Sequence, residues 1–287
     1  MAINALEDLH NLQEKAAGDL TNLMAKFALA LLNGDGLEEE EKLAAAIADA
    51  QSQADLLGRR RLLLELRAQG VKFAQEDTGG ILDEVNLTVA SILDRAPILA
   101  RGWKRAAEVY NLGGFALAKS ARVALTASIQ RVIAKAVDQG ASRDVAVFEI
   151  AEQLGARDVD GAARRAIFAY SDTAFRTVTT TAYTQGRISL ADDPDIRRNL
   201  VGWRFDATND SDVRHNHWAA DGFMAVLDDP VWSQLRPPLG YNCRCALGVV
   251  TRRQGVKAGL IDRKGNVLIQ RKAVPAGAGA DPGFTPG

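Results

Sequence analysis

Two cysteines and two histidines occur as pairs, with one residue between the members of each pair. Cys243 and Cys245 flank Arg244, and His215 and His217 precede them by about 26 residues. Because alternate residues of an extended segment point to the same side, both sulfur atoms can face one ion. Thiolates and imidazoles are the ligands that zinc favours, and four of them complete a tetrahedral structural site. The spacing makes zinc a candidate cofactor, with these two cysteines and two histidines as its ligands.

Other interpretations of the same residues stay open. The cysteines can pack as small buried apolar groups, or they can form a strained disulfide with each other. Alternatively, Cys243 and His217 are the nucleophile and base of a metal- or thiol-dependent hydrolase, with Asp212 or Asp221 orienting the imidazole. No helix start or glycine-rich elbow follows the cysteines to lower a thiol pKa, and no phosphate-binding glycine motif is present. The sequence therefore favours a protein without catalytic activity, and the hydrolase remains the alternative.

Most of the chain before the histidine and cysteine pairs is predicted to be helical. Apolar residues recur at helical spacing over residues 6–31 and 43–66, on either side of a glycine-rich stop at residues 33–36. Gly113 and Gly114 predict a hinge. Further helices are predicted over residues 81–94, 98–110, 115–140, 142–154 and 160–189.

The pattern changes near residue 200. Val201, Trp203 and Phe205 alternate with polar or small residues, which is typical of a half-buried strand. Residues 245–251 predict a closing strand, residues 261–269 predict a hairpin, and the residues from 273 onward, rich in Ala, Gly and Pro, predict a disordered tail. The predicted fold class is α+β: a mainly helical body followed by a small C-terminal α+β module with short strands and a loop-rich His/Cys knot.

Composition limits the class of protein. The 287 residues are 47% apolar, and 35 basic side chains nearly balance 36 acidic ones, as in soluble globular proteins. No apolar run approaches the roughly 20 residues of a membrane span, and two cysteines fit a reducing compartment. Residues 1–58 carry a net charge of −8, and residues 59–143 carry +6. This asymmetry predicts either complementary helix faces or a basic segment that contacts DNA. Within residues 59–143, the run Arg-Arg-Arg at residues 59–61 is predicted to lie on a solvated helix face.

The arginines and tryptophans near the cysteines predict a rigid, loop-rich unit. Arg214 and Arg244 can hold loops through hydrogen bonds to Asp212, Asp221 or backbone carbonyls. Three tryptophans supply apolar area to a module too small for a large core, namely Trp203, Trp218 and Trp232.

Two segments together resemble the phage Mu F-like head morphogenesis family. The first is the Thr-rich residues 175–187, which contain Arg176 and end in Gly186-Arg187. The second follows the family order of an Arg shortly before a His, a Gly five residues later and a Pro-rich loop before Asn-Cys-Arg-Cys. In this chain it comprises Trp203, Asp212, Arg214, His217, Asp221, Gly222, Trp232, Pro237, Pro238, Asn242, Cys243, Arg244 and Cys245. Many relatives have a His three residues before the first Cys, where this chain has Gly240.

The resemblance implies a minor head, or minor capsid, protein of a tailed phage or prophage, without an established catalytic activity. Such a protein associates with the portal vertex inside the capsid and supports head assembly, DNA packaging or genome delivery. Its implied partners are the portal protein, the major capsid or scaffold protein and packaged DNA, with no membrane contact. The implied location is the host cytoplasm before assembly, and the head interior near the portal in the assembled virion. The expected domains are a helical arm at residues 1–112, the Mu F-like domain at 113–252, and a hairpin with a flexible tail at 253–287.

Overall fold

The computed structural model describes residues 5–32, 36–84, 89–139, 162–208 and 210–286. These residues are mainly helical, with a small antiparallel sheet towards the C-terminus, which confirms the predicted α+β class. The chain divides into two compact units. The first unit comprises Met1–Asn11, Gln51–Lys104 and Arg176–Gly287, and the second comprises Leu12–Ala50 and Arg105–Phe175.

Eleven helices and one 3-10 turn occur in the described ranges. Three glutamates fill the first turn of helix α2 (Leu37–Ala68), where the helix dipole stabilises carboxylates. None of these helices combines the length and apolar character needed to cross a bilayer. The helices are α1 (Ala5–Leu32), α2 (Leu37–Ala68), α3 (Gln75–Thr78), α4 (Val89–Arg95), α5 (Pro97–Ala100), α6 (Trp103–Asp138), α7 (Ala162–Ala191), α8 (Pro194–Arg197), α9 (His215–Trp218), α10 (Trp232–Leu235) and α11 (Arg252–Lys257), and the 3-10 turn is Ile81–Asp83.

The predicted hinge at Gly113-Gly114 is wrong, because α6 runs through both glycines without a break. A Cβ atom at Gly114 would lie 2.4 Å from the backbone oxygen of Ala44, so this glycine serves close helix packing within the second unit. The helix predicted over residues 98–110 is divided instead at Gly102, which has a φ of 72°. The helix predicted over residues 142–154 lies outside the described residues.

The arginine run at residues 59–61 is not the solvated face that the sequence predicts. Arg59 has no exposed surface, and Arg61 is only 3% exposed. Arg59 donates hydrogen bonds to the Asp55 carboxylate and to the backbone oxygen of Arg101. Arg59 lies on the face of α2 that also buries Leu62 and Leu66, and its hydrogen bond to a carboxylate offsets much of the cost of burying the charge.

The sheet has the strand order β2-β1-β3, with both pairs antiparallel. The strands are β1 (Leu200–Asp206), β2 (Met224–Val226) and β3 (Ala246–Thr251). Trp203 is opposite Ala225 on one side and Val249 on the other. Both strands predicted from the sequence are confirmed, whereas β2 was missed because three residues are too few to show a period-2 pattern. An isolated antiparallel bridge joins Ile261 to Val267, as the predicted hairpin requires.

The residues after 273 do not form the free tail that their composition predicts. The backbone N–H of Asp281 donates to the oxygen of Leu239 at 2.7 Å, and that of Gly279 donates to the oxygen of Asn216 at 3.3 Å. The ring of Phe284 packs edge-on against Tyr241, with centroids 5.3 Å apart. We call residues 273–286 the C-terminal segment. These long-range contacts order it despite its Gly/Pro-rich sequence.

Candidate functional site

Three of the four predicted ligand residues converge inside the first unit. Nδ1 of His217 lies 3.7 Å from Sγ of Cys243 and 3.8 Å from Sγ of Cys245. The three ligand atoms lie within 4.8 Å of one another, and each side chain is at most 2% exposed. Helix α9 supplies His217, and the turn before β3 supplies both cysteines. We call these three residues the His/Cys cluster.

His215 lies outside the His/Cys cluster and is exposed. The sequence argument treats the His215/His217 pair like residues of a strand, but both lie in α9. Residues two apart in a helix point about 200° apart. The two imidazoles therefore cannot face the same ion.

Both cysteines are free thiols, so the disulfide alternative is not realised. A hydrogen bond with Cys245 lowers the pKa of Cys243 well below its ordinary value; burial opposes this effect, and His217 adds to it. The same hydrogen bond, together with burial, raises the pKa of Cys245. Their mutual hydrogen bond thus favours the thiolate form on Cys243 and the thiol form on Cys245.

The other ring nitrogen of His217 faces Asp281, a residue that no sequence pattern had indicated. Nε2 lies 3.3 Å from Oδ1 of Asp281. Nε of Arg214 lies 3.2 Å from Oδ2 of the same carboxylate, and Nδ2 of Asn216 donates to Oδ1 at 3.2 Å. A Cβ atom at Gly240 would lie only 1.8 Å from Oδ2 of Asp281. The lack of a side chain at Gly240 therefore leaves room for this carboxylate.

The predicted loop contacts of the two arginines are found, with partly different partners. Nη1 of Arg244 lies 2.6 Å from Asp210, and Asp212 is more distant, at 3.6 Å from Nη2. Arg214 donates to the backbone oxygen of Tyr241. Asp221 contacts neither arginine and instead accepts a hydrogen bond of 2.8 Å from the backbone N–H of Ala207.

The remaining residues of the resemblance shape the loops and the core around the His/Cys cluster. Trp203 and Trp232 are buried, and Nε1 of Trp232 donates to the oxygen of Val226 at 2.8 Å. Trp218 is 49% exposed, so the prediction that all three tryptophans form the core is wrong for this residue. Gly222 has a φ of 70°, and the Pro237-Pro238 bond is cis.

The two segments of the resemblance are in direct contact. Oγ1 of Thr180, on α7, donates to the backbone oxygen of Cys243 at 3.1 Å. The backbone N–H of Asn242 donates to Oγ1 of Thr177 at 3.2 Å. The oxygen of Arg176 accepts a hydrogen bond from Thr179 within the same helix. The Thr-rich helix thus holds the turn that carries the cysteines.

Comparisons with known proteins agree with these motifs. Residues 127–248 match the family model described as Phage Mu protein F like protein. The "Mu-like prophage FluMu F protein" of Haemophilus influenzae is 44% identical over 43 residues, which cover 15% of this chain and 10% of that protein. The "Putative capsid assembly protein F" of Escherichia phage Mu is 24% identical over 181 residues, which cover 57% of this chain and 39% of that protein.

These alignments span at most 39% of the length of either relative. No solved structure matches the chain. The family match includes the end of α6, the whole Thr-rich helix, the His/Cys cluster and most of the sheet. Over residues 127–248, the chain is therefore similar to the phage Mu F-like family.

Proposed function

We propose that this protein is a structural minor head protein of a tailed phage or prophage. In this role it associates with the portal vertex inside the capsid and supports head assembly, DNA packaging or genome delivery. The observation that carries the proposal is the family match over residues 127–248, together with the capsid-assembly name of the phage Mu relative. The contacts between the two family segments support it, because they make those segments one folded unit.

The burial of the His/Cys cluster supports a structural role over catalysis. Cys243 is 1% exposed, Cys245 and His217 are each 2% exposed, and a nucleophile must reach its substrate. A hydrolase built on these residues would need its sulfur at a surface or in an open cleft. The cluster instead lies among the core residues of the first unit.

The pairing of the basic side chains supports a protein partner over DNA. Many arginines of the positively charged stretch at residues 59–143 already contact carboxylates of this chain. The pairs are Arg59–Asp55, Arg67–Asp83, Arg95–Glu84, Arg101–Asp193 and Arg122–Glu40. Arginines that are neutralised internally release few counterions from DNA, so they add little to its binding.

An aromatic surface beside the His/Cys cluster is the portal contact that we propose. Among the described residues of the matched segment, the large apolar side chains left exposed are Trp218, at 49%, and Tyr241, at 61%. Both residues are bonded to Arg214 through their backbones: the backbone N–H of Trp218 donates to the backbone oxygen of Arg214, and the Arg214 guanidinium donates to the backbone oxygen of Tyr241. Exposed Trp and Tyr side chains held on a rigid frame are the residues that most often dominate protein interfaces.

Co-expression with the cognate portal, pull-down and quantification in purified heads test this role. We expect the wild-type protein to co-purify with the portal and to be present in a few copies per head. Trp218→Ala and Tyr241→Ala should each weaken portal binding by about tenfold or more. Leu112→Ala, at a 74% exposed apolar position of α6, is the matched control and should bind as the wild type does.

Two results would contradict the proposal in different ways. Absence of the wild-type protein from both the portal complex and purified heads refutes the head role. Normal portal binding by both aromatic variants leaves that role intact, but it refutes the assignment of the contact to Trp218 and Tyr241.

A further inference from the structure

The distances from His217 to the two cysteine sulfurs match those around a tetrahedral zinc ion. With Zn–N bonds of about 2.0–2.1 Å and Zn–S bonds of about 2.3 Å, tetrahedral angles place nitrogen and sulfur about 3.6 Å apart. The observed separations of Nδ1 of His217 from the two sulfurs are 3.7 and 3.8 Å. Nδ1 is nearly equidistant from both sulfurs, whereas a single hydrogen bond would favour one of them. From this geometry we infer that His217, Cys243 and Cys245 bind a structural zinc ion.

The chemistry of the three ligands explains why they lie together in the core. Two thiolates would neutralise Zn²⁺, so the loaded site carries no net charge, whereas an unpaired buried thiolate is costly. The described residues supply three ligand side chains, and His215 is exposed and lies outside the cluster, so the fourth ligand is not His215.

Asp281 acts as a positioning residue for His217. A histidine that binds a metal through one nitrogen commonly directs its other N–H to a carboxylate, which fixes the tautomer and orients the ring. Nε2 of His217 lies 3.3 Å from Oδ1 of Asp281 without the alignment of a hydrogen bond; on the zinc-bound ring, an N–H on Nε2 would face this carboxylate and leave the lone pair of Nδ1 to the metal. Arg214 and Asn216 hold the carboxylate from the other sides.

The site therefore fastens three separate parts of the first unit. Helix α9 contributes His217, and the turn before β3 contributes the cysteines. Through Asp281, the C-terminal segment joins the outer shell of the site. This inference concerns metal binding and does not depend on the role of the protein in the phage head.

Metal analysis of the full-length protein is the first test. After purification in metal-free buffer and reloading with Zn²⁺, elemental analysis should find one zinc per chain. Replacement by Co²⁺ should produce the visible bands of a tetrahedral ion and an intense thiolate-to-cobalt band in the near ultraviolet. A wild-type protein that retains no zinc and gives no thiolate-to-cobalt band overturns the inference, whatever the variants do.

Variants assign the ligands. His217→Ala and Cys243→Ser should each lose stoichiometric zinc and weaken the thiolate-to-cobalt band, whereas His215→Ala should keep both. A chelator should lower the melting temperature of the wild type and of His215→Ala. If His217→Ala folds and keeps one tightly bound zinc, the assignment of His217 as a ligand is wrong.

The positioning role of Asp281 has its own readout. Asp281→Asn should retain one zinc per chain but bind it about 10–100-fold more weakly in competition with a chelator, the usual effect of losing such a partner. Arg67→Ala, which breaks an ion pair at an exposed arginine outside the His/Cys cluster, is the control and should leave zinc affinity unchanged. Equal zinc affinity in Asp281→Asn and the wild type would remove Asp281 from the site.

Discussion

Arg187 on α7 donates a hydrogen bond of 2.8 Å from Nη2 to Oε2 of Glu65 on α2. The same carboxylate oxygen accepts the backbone N–H of Val249 on β3 at 3.0 Å. Burial alone would lower the pKa of Arg187, but the Glu65 carboxylate raises it above its ordinary value, so the guanidinium stays charged although it has no exposed surface. Glu65, which lies outside the family match, thereby ties the Thr-rich helix and the sheet to α2.

The Glu65 contacts should make a large contribution to stability. Glu65→Ala leaves Arg187 as an uncompensated buried charge and the N–H of Val249 without this acceptor. The expected loss is about 3–5 kcal/mol of unfolding free energy, measured by denaturant titration. Arg67→Ala breaks the more exposed Arg67–Asp83 pair and should cost less than about 1 kcal/mol. A similar loss in both variants would contradict the importance given to Glu65.

Gly186 should be intolerant of any side chain, because α2 and α7 are in backbone contact there. A Cβ atom at Gly186 would lie 2.2 Å from the backbone oxygen of Asp55, which cannot rotate away as a side chain could. Gly186→Ala should therefore destabilise the protein by about 1–3 kcal/mol, although alanine favours helices. The neighbouring exposed position provides the comparison: Gln185→Ala should stay within about 0.5 kcal/mol of the wild type. A Gly186→Ala protein of wild-type stability would show that the two helices can separate at little cost.

Gly240→Ala should act through Asp281, because its Cβ would occupy the position of the Asp281 carboxylate. We expect Gly240→Ala and Asp281→Ala each to detach the C-terminal segment, detected as faster amide hydrogen exchange over residues 273–286. The double variant should exchange no faster than either single variant, because both changes remove the same contact. Additive effects would mean that the segment is held at Gly240 by something other than Asp281.

The sequence predicted what local patterns encode. Helical spacing identified the long helices, and alternation around Trp203 identified β1. The pairs at residues 215–217 and 243–245 contained the three residues of the His/Cys cluster. What it missed depends on contacts between residues distant in the chain. The burial of Arg59 requires Asp55 and the backbone of Arg101 together, and the role of Asp281 requires a fold that brings a Gly/Pro-rich segment back to His217. Composition indicates how easily a segment orders alone, and it carries no information about such partners.

The hydrogen bond between Thr180 and Cys243 should couple the two family segments energetically. Oγ1 of Thr180 is a buried donor to the oxygen of Cys243, so Thr180→Val takes away a partner of that buried carbonyl. The expected cost is about 1–3 kcal/mol, measured by denaturant titration. Thr181→Val is the matched control, because Oγ1 of Thr181 bonds back to the oxygen of Thr177 within its own helix, and losing such a bond costs little. Faster amide exchange over residues 239–245 in the Thr180 variant alone would locate the loosening at the cysteine turn. Equal stability and equal exchange in both valine variants would show that α7 holds this turn through other contacts, such as that of Thr177 with Asn242.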